Sequence, residues 1–366
     1  MFKYEPTRSG NTLEQIEFTS YAWIGLRNFY NHHPEKFRDR VRKGPPAAYR
    51  WFAWYFLGSR ILPRCKGQYE NKLKQGENNQ WLYVIDKDLN RTFPSHPFFA
   101  MSQNGGIGQK ALRNILQAYA VHNESIGYCQ SMNFIVGFIL MVSGCREKDS
   151  FWFFAALLQK RNIQGSPIMC GLNGFFTDGF PTLLRYVKVF HHLMDIYMPD
   201  LHAHLIQDLP DLLWINKWFQ TCFLYSFPLG LCIRIWDNIL ADGTKFFFKA
   251  VLAILKLVEQ ELMVLDFSAI NEYFKSFNST DSQYKLLPDH EKIIAQAYKF
   301  KITDEQIAQI CSTFEDDFAI SQESQRAQNQ VSLRSLTKVR IEDEPERNVG
   351  PVIAQRLIRK PESVGQ

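Results

Sequence analysis

Residues 125–145 read SIGYCQSMNFIVGFILMVSGC, 21 positions without an Asp, Glu, Lys or Arg. A bilayer span requires about 20 consecutive, predominantly apolar residues. This stretch has the length, but Gln130, Asn133 and three glycines, Gly127, Gly137 and Gly144, interrupt it. Its continuous apolar part is only Phe134–Val142. A run that short, apolar on nearly every face, reads as a helix through a protein core. The segment therefore predicts a buried helix and not a membrane anchor.

The same period extends outward. Leu112, Ile115, Leu116 and Tyr119 recur at i, i+3, i+4 and i+7, and Leu252, Leu255, Leu257 and Val258, at i, i+3, i+5 and i+6, carry a helical period further on. Alternation of the strand type is absent over any useful length. Proline and glycine clusters punctuate the helices at Gly44–Pro46, Pro94–Pro97, Asn104–Gly108, Gly165–Pro167, Gly171–Gly174, Phe227–Gly230 and Asp242–Gly243. No internal repeat is visible. The expected fold is all-α, built of many short to medium helices.

Composition agrees. The chain has 366 residues, 46% hydrophobic and 22% charged, which suits a soluble globular protein and excludes a disordered or collagen-like one. Every Trp, Tyr and Phe falls at or before Phe318, and the 48 residues that follow contain none. Ile302, Ile307, Ile310, Phe314 and Phe318 predict a last helix over 301–318. Beyond it, Ser321–Asn329 is polar and Glu342–Arg347 is charged with a proline. Such segments bury too little apolar surface to offset ordering entropy, so 319–366 is expected to be a flexible tail. Ile353, Leu357 and Ile358 could form a short docking helix within it.

Charge says little about partners. The chain carries +5 overall, and the tail's eight basic and six acidic residues account for +2 of it. Neither part is basic enough for nucleic acid or an anionic membrane to be the main partner. The seven cysteines form no C-x-x-C pair, and Met1–Ser9 is polar with no secretory pattern. Both features point to a reducing, cytosolic setting.

Three chemical signals are set aside. Gly105–Lys110 resembles a phosphate loop, but Gln109 precedes the lysine and Ala111 follows it, where a Walker loop has Gly and then Ser or Thr. The histidines (His32-His33, His191-His192, His202 and His204) have no Cys or carboxylate at metal-ligand spacing, so they read as surface or helix-end groups. No G-x-S-x-G nucleophile motif occurs. No nucleotide site, metal or cofactor of the chain's own is expected.

Two short segments carry more. In Ile85-Asp-Lys-Asp88-Leu-Asn-Arg91-Thr-Phe-Pro94, an Asp and an Arg lie three residues apart. Such a pair is ordinarily a surface ion pair worth about 0.2–0.5 kcal/mol. Its position is unusual: Pro94 and Pro97 bias the following chain toward an extended path, so a helix ends near Arg91 and its guanidinium can project outward. The second segment is Ile126-Gly-Tyr128-Cys-Gln130-Ser-Met-Asn133. Gln130 stands near the start of the apolar helix, where the partial positive charge of the helix favours phosphate oxygens. A glutamine capping a buried helix is the competing reading, and on this segment alone it is the stronger one.

Together these segments resemble a known family. I-x-x-D-x-x-R, as Ile85, Asp88 and Arg91, followed by Y-x-Q, as Tyr128 and Gln130, is similar to the paired signature of TBC domains, the GTPase-activating domains for Rab GTPases. Upstream, Arg50 and Trp54 meet an R-x-x-x-W element, with Gly58 after it. Downstream, Trp214 and Trp218, then Phe227-Pro228, then Arg234-Ile-Trp236-Asp237 and Gly243, follow the family's order and spacing. The resemblance covers residues 40–260 and implies a single multi-helix domain over 15–300. Its catalytic lobe would run to about residue 190 and a second helical lobe over about 191–300, with 1–14 as a flank.

The resemblance implies a mechanism. Hydrolysis of GTP needs a positioned water and stabilised charge on the transferring phosphate, and an arginine supplied in trans contributes about 10³–10⁵ in turnover. By resemblance Arg91 is that finger. Gln130 is a second finger that takes the water-positioning role, Asp88 orients Arg91, and Tyr128 buttresses the Gln130 loop. GTP and Mg²⁺ would belong to the GTP-bound Rab partner. Ser131 stands where the family often has Gly, which would narrow partner choice or the approach of the GTPase backbone. Trp54, Trp214, Trp218, Trp236, Arg234 and Asp237 read as scaffold. The family implies a cytoplasmic protein acting in vesicle-mediated transport, peripheral on endomembranes where recruited. The alternative is a non-catalytic Rab-binding scaffold or effector with the same fold, whose hallmark would be loss of Arg91 or Gln130.

Overall fold

The structure is a computed structural model that describes residues 24–59, 67–99, 106–159, 171–278, 287 and 289–314. Among these residues all regular structure is helical. In chain order the helices are α1 (24–32), α2 (Pro34–Arg42), α3 (Ala47–Ser59), α4 (Gln68–Gln75), α5 (Leu82–Leu89), α6 (Ile107–His122), α7 (Met132–Ser143), α8 (Glu147–Leu158) and α9 (Pro181–Tyr197). There follow α10 (Pro199–Asp208), α11 (Ile215–Gln220), α12 (Leu229–Asp242), α13 (Thr244–Leu257), α14 (Glu259–Leu262), α15 (Phe267–Ser276), α16 (His290–Ala297) and α17 (Asp304–Ser312). The described residues up to Cys311 form one compact unit; of the second unit only 312–314 are described. The expectations for the 319–366 tail and its docking helix therefore fall outside them; of the helix expected over 301–318, α17 forms Asp304–Ser312, 313–314 are a turn, and 315–318 lie outside the described residues.

The 125–145 segment forms α7, a helix of 12 residues. At about 1.5 Å per residue it is too short to span a bilayer. Among the described residues no helix is long and apolar enough to cross a membrane. Instead α7 is enclosed by α3, α5, α6 and α8, and Ile135, Val136, Ile139 and Leu140 are fully buried. Gly144, in the left-handed conformation at φ 66°, terminates it. The predicted stripe of α6, Leu112, Ile115, Leu116 and Tyr119, is buried against α7 and α8.

An aromatic seam joins three helices. Trp54 of α3 stacks on Trp236 of α12 at 5.8 Å, and Phe138 of α7 meets both rings, at 5.7 and 5.3 Å. Gly58 permits the adjoining α3–α8 contact, because a Cβ there would lie 2.4 Å from the Phe153 ring. Trp214 and Trp218 are buried as well, so all four of these tryptophans pack in the interior.

Beside the seam lies a fully buried carboxylate, Asp237. Its Oδ1 accepts from Trp54 Nε1 at 2.7 Å and from Arg50 Nε at 3.1 Å, and its Oδ2 accepts from Arg234 Nη1 at 3.0 Å. Burial pushes this carboxyl above the ordinary aspartate value, and the two guanidinium groups and the indole pull it back. Arg234 also donates to both oxygens of Glu291 on α16, at 2.6 and 3.1 Å, and to the Arg42 carbonyl at the end of α2, at 3.0 Å. The elements R-x-x-x-W and R-I-W-D, about 180 residues apart, are thus two halves of one contact. Removing one partner of a buried ion pair leaves the other charge uncompensated, which costs about 3–5 kcal/mol. Asp237→Ala is expected to destabilise the domain by that amount in urea denaturation, and a loss under about 1 kcal/mol would show that the contact does not hold α3 to α12.

Candidate functional site

The site begins on α5, a short helix that turns Ile85 and Asp88 inward. After Leu89 the chain leaves the helix through Arg91, Thr92 and Phe93, the last at a positive φ of 45°. Asp88 is only 3% exposed, and both of its oxygens are occupied. Oδ1 pairs with Arg91 Nη2 at 2.6 Å, and Oδ2 accepts from the Tyr128 hydroxyl at 2.5 Å. The Arg91 side chain is 46% exposed and has no other ion pair among the described residues. Its guanidinium is tethered at one nitrogen and otherwise faces outward. Gly137 on α7 lets this turn lie close: a Cβ there would meet Thr92 Cγ2 at 3.0 Å and the Phe93 ring at 3.3 Å.

The second turn leads into α7. Gly127 adopts φ 63°, and a Cβ on it would come within 2.1 Å of Trp81 Nε1, so the indole closes over the turn only because this residue is glycine. Tyr128 is buried. Burial, reinforced by its bond to the Asp88 carboxylate, drives its hydroxyl far above the ordinary tyrosine value, so it remains a neutral donor to Asp88. Gln130, two residues further, is exposed and makes no hydrogen bond among the described residues. It does not cap the helix. The cap position is Ser131, which has no side-chain capping bond and sits in the left-handed region at φ 90°.

Arg91, Asp88, Tyr128 and Gln130 therefore belong to one constellation: a buried carboxylate–phenol pair supports two exposed polar side chains from neighbouring turns. Beside Arg91 opens a groove of about 800 Å³, walled by Phe93, Phe134, Trp214, Trp218, Tyr225 and Lys217. The Lys217 ammonium lies 3.9 Å over the Tyr225 ring at its edge.

Sequence reasoning missed two members of the site, Thr92 and Asn133, both fully buried. Thr92 Oγ1 donates to the Asp88 carbonyl at 2.6 Å, and Asn133 Nδ2 donates to Thr92 Oγ1 at 2.8 Å. The available signal was an amide side chain inside an otherwise apolar helix. The histidines differ too. His191 and His202 are not isolated surface or helix-end groups. Their rings are 2.7 Å apart (Nδ1 to Nε2), and Asp211 and Asp195 bond the outer nitrogens at 2.9 and 2.5 Å. Helices α9 and α10 are thereby fastened to the turn at Asp211.

With this geometry in place, comparison with known proteins is informative. Residues 47–263 match the Rab-GTPase-TBC domain family. The chain belongs to that family. It is 29% identical over 274 residues to the Homo sapiens Ecotropic viral integration site 5 protein homolog, covering 75% of this chain and 32% of that protein. It is 31% identical over 264 residues to the Saccharomyces cerevisiae GTPase-activating protein GYP3, covering 62% of this chain and 41% of that one. The chain thus spans well under half the length of these relatives. Among solved structures, the Chlamydomonas flagellar RabGAP TBC domain superposes with a TM-score of 0.60 at 24% identity, covering 78% of this chain and 94% of that one, a likeness of fold.

Ser131 yields a direct test of the site's backbone. A side-chain-bearing residue held left-handed costs about 1–2 kcal/mol, while glycine's extra unfolded-state freedom returns about 0.4–1 kcal/mol. Ser131→Gly is therefore expected to stabilise the domain by about 0.5–1 kcal/mol, read as a raised urea midpoint at unchanged slope. Gly127→Ala is expected to move the other way, since it adds a methyl against Trp81.

Proposed function

We propose that this protein stimulates GTP hydrolysis by a GTP-bound Rab-type small GTPase, supplying Arg91 and Gln130 in trans. The observation that supports this most directly is the state of those two side chains. Each is exposed; among the described residues Gln130 makes no hydrogen bond and Arg91 has one ion pair, and both rise from turns that the buried Asp88–Tyr128 bond holds together. Membership of the Rab-GTPase-TBC domain family and the name of the yeast relative, a GTPase-activating protein, point the same way.

In this reading the chain performs no covalent step. The nucleotide and its Mg²⁺ come with the GTPase as the substrate complex. Arg91 reaches the transferring phosphate with the guanidinium nitrogens that Asp88 does not hold, and its multi-donor fork neutralises charge that grows toward the transition state. Gln130, beside the positive end of α7, orients the attacking water. Asp88 and Tyr128 restrict the motion of both groups, so less ordering remains to be done when the GTPase docks. The groove beside Arg91 offers the aromatic and basic surface against which the GTPase would sit. Such an activity belongs in vesicle-mediated transport, on whichever endomembrane presents the GTPase.

A panel of GTP-loaded Rab proteins, assayed for phosphate release with and without residues 319–366, tests the proposal. Wild-type protein is expected to accelerate at least one of them. Arg91→Ala and Arg91→Lys are expected to lower that acceleration by about 10³-fold or more while the GTPase still binds. Lysine fails because it lacks the planar fork. Gln130→Ala is expected to act similarly. A fully active Arg91→Ala protein would remove Arg91 from the mechanism. Binding without stimulation by the wild type would make the chain a scaffold instead.

A further inference from the structure

Asn133 touches both finger-bearing turns at once. Its Nδ2 donates to Thr92 Oγ1 at 2.8 Å, and its Oδ1 accepts from the Ser131 backbone N–H at 3.1 Å. Thr92 directly follows Arg91, and Ser131 directly follows Gln130. The polarity of the bridge is fixed. Thr92 donates its one hydroxyl proton to the Asp88 carbonyl at 2.6 Å, so toward Asn133 its oxygen can only accept. The Ser131 N–H can only donate. A single orientation of the amide satisfies both, and a flipped amide would oppose like groups at both ends. Asn133 and Thr92 are fully buried, and Ser131 is nearly so, so water cannot repair a broken contact.

The Asp88–Tyr128 bond fixes the chain two residues before Gln130. It does not restrain the residue after it, where Ser131 occupies the unfavourable left-handed region. The Asn133 carbonyl oxygen grips that residue. We propose that Asn133 and Thr92 are positioning residues that lock the Gln130 turn to the Arg91 turn, so that both polar groups are presented in one fixed register. This inference rests on the reading of Arg91 and Gln130 as fingers acting in trans. Neither positioning residue needs to touch the GTPase.

Thr92→Val tests the lock with almost no change of volume, and Thr92→Ser restores the hydroxyl. With the best Rab substrate, Thr92→Val is expected to lower the stimulated kcat about tenfold or more with KM within about twofold, and Thr92→Ser is expected to recover most of it. Combined with Gln130→Ala, the loss is expected to be clearly smaller than the product of the two single losses, because both changes disable the same unit. Asn133→Asp, which sets an anionic oxygen against the Thr92 lone pairs, is the harsher companion variant. An unchanged kcat in Thr92→Val, or losses that multiply, would overturn the lock. Amide hydrogen exchange at Ser131 reads the same contact without any GTPase. Exchange is expected to speed up in Thr92→Val and Asn133→Asp but not in Thr92→Ser or Gln130→Ala. Unchanged exchange in Thr92→Val overturns the lock even if no Rab is stimulated, whereas faster exchange with no stimulated Rab sustains the lock and sinks the activator reading alone.

Discussion

One buried charge, the Asp237 carboxylate, fixes how the halves of this sequence meet. It is fully enclosed and accepts from Arg50 and Trp54 on α3 and from Arg234 on α12. An enclosed carboxylate without donors would be costly, so α3 and α12 can pack only in the arrangement that brings all three donors to it. The ring seam of Trp54, Phe138 and Trp236 lies beside it, so the polar contact sets the register and the aromatic contact supplies the buried area. Phe138 belongs to α7. The keystone therefore also fixes the helix that the Gln130 turn leads into.

From there the constraint passes to the site through glycine. Gly58 admits Phe153 and brings α8 against α3, while Gly137 admits Thr92 and Phe93 and brings the Arg91 turn against α7. A Cβ at Gly58 would lie 2.4 Å from the Phe153 ring, which leaves no room for a side chain, whereas at Gly137 the contacts of 3.0 and 3.3 Å would require Thr92 and Phe93 to give way by a few tenths of an ångström. The order of dependence runs from Asp237 to α3 and α12, from these to α7, and from α7 to the two turns. A substitution at the keystone would disturb the site without touching it.

Much of this was legible in the sequence, for physical reasons that differ from element to element. The 3.6-residue period at 112–119 showed α6 and its buried face, because burial selects apolar side chains one residue at a time. The charge-free stretch 125–145 showed α7 and that it does not span a membrane. The four candidate site residues come from the resemblance to TBC domains, since the residues read alone leave Asp88–Arg91 as a surface pair and Gln130 as a helix cap. What spacing cannot show is contact between distant segments. The bond from Tyr128 to Asp88 crosses 40 positions. Asn133 looked like a blemish in an apolar run when it is a bridge between turns, and His191 with His202 looked like surface residues when they fasten α9 to α10. Ser131 could be seen to depart from glycine, but its φ of 90° could not be seen at all.

The same reasoning separates two pairs that look alike in the sequence. Asp88–Arg91 and Arg234–Asp237 are both an aspartate and an arginine three residues apart, both with the carboxylate buried and ion-paired, at 2.6 and 3.0 Å. Arg234 is 11% exposed and directs bonds to Asp237, both oxygens of Glu291 and the Arg42 carbonyl, which leaves its fork almost no donor for anything else. Arg91 gives one nitrogen to Asp88, has no other ion pair among the described residues, and its side chain is 46% exposed. An arginine of the first kind joins helices, and only one of the second kind has hydrogen bonds left for a ligand. The capacity to act lies in the donors that folding leaves unmatched, while the Asp88 carboxylate, bound at both oxygens, keeps those donors from wandering.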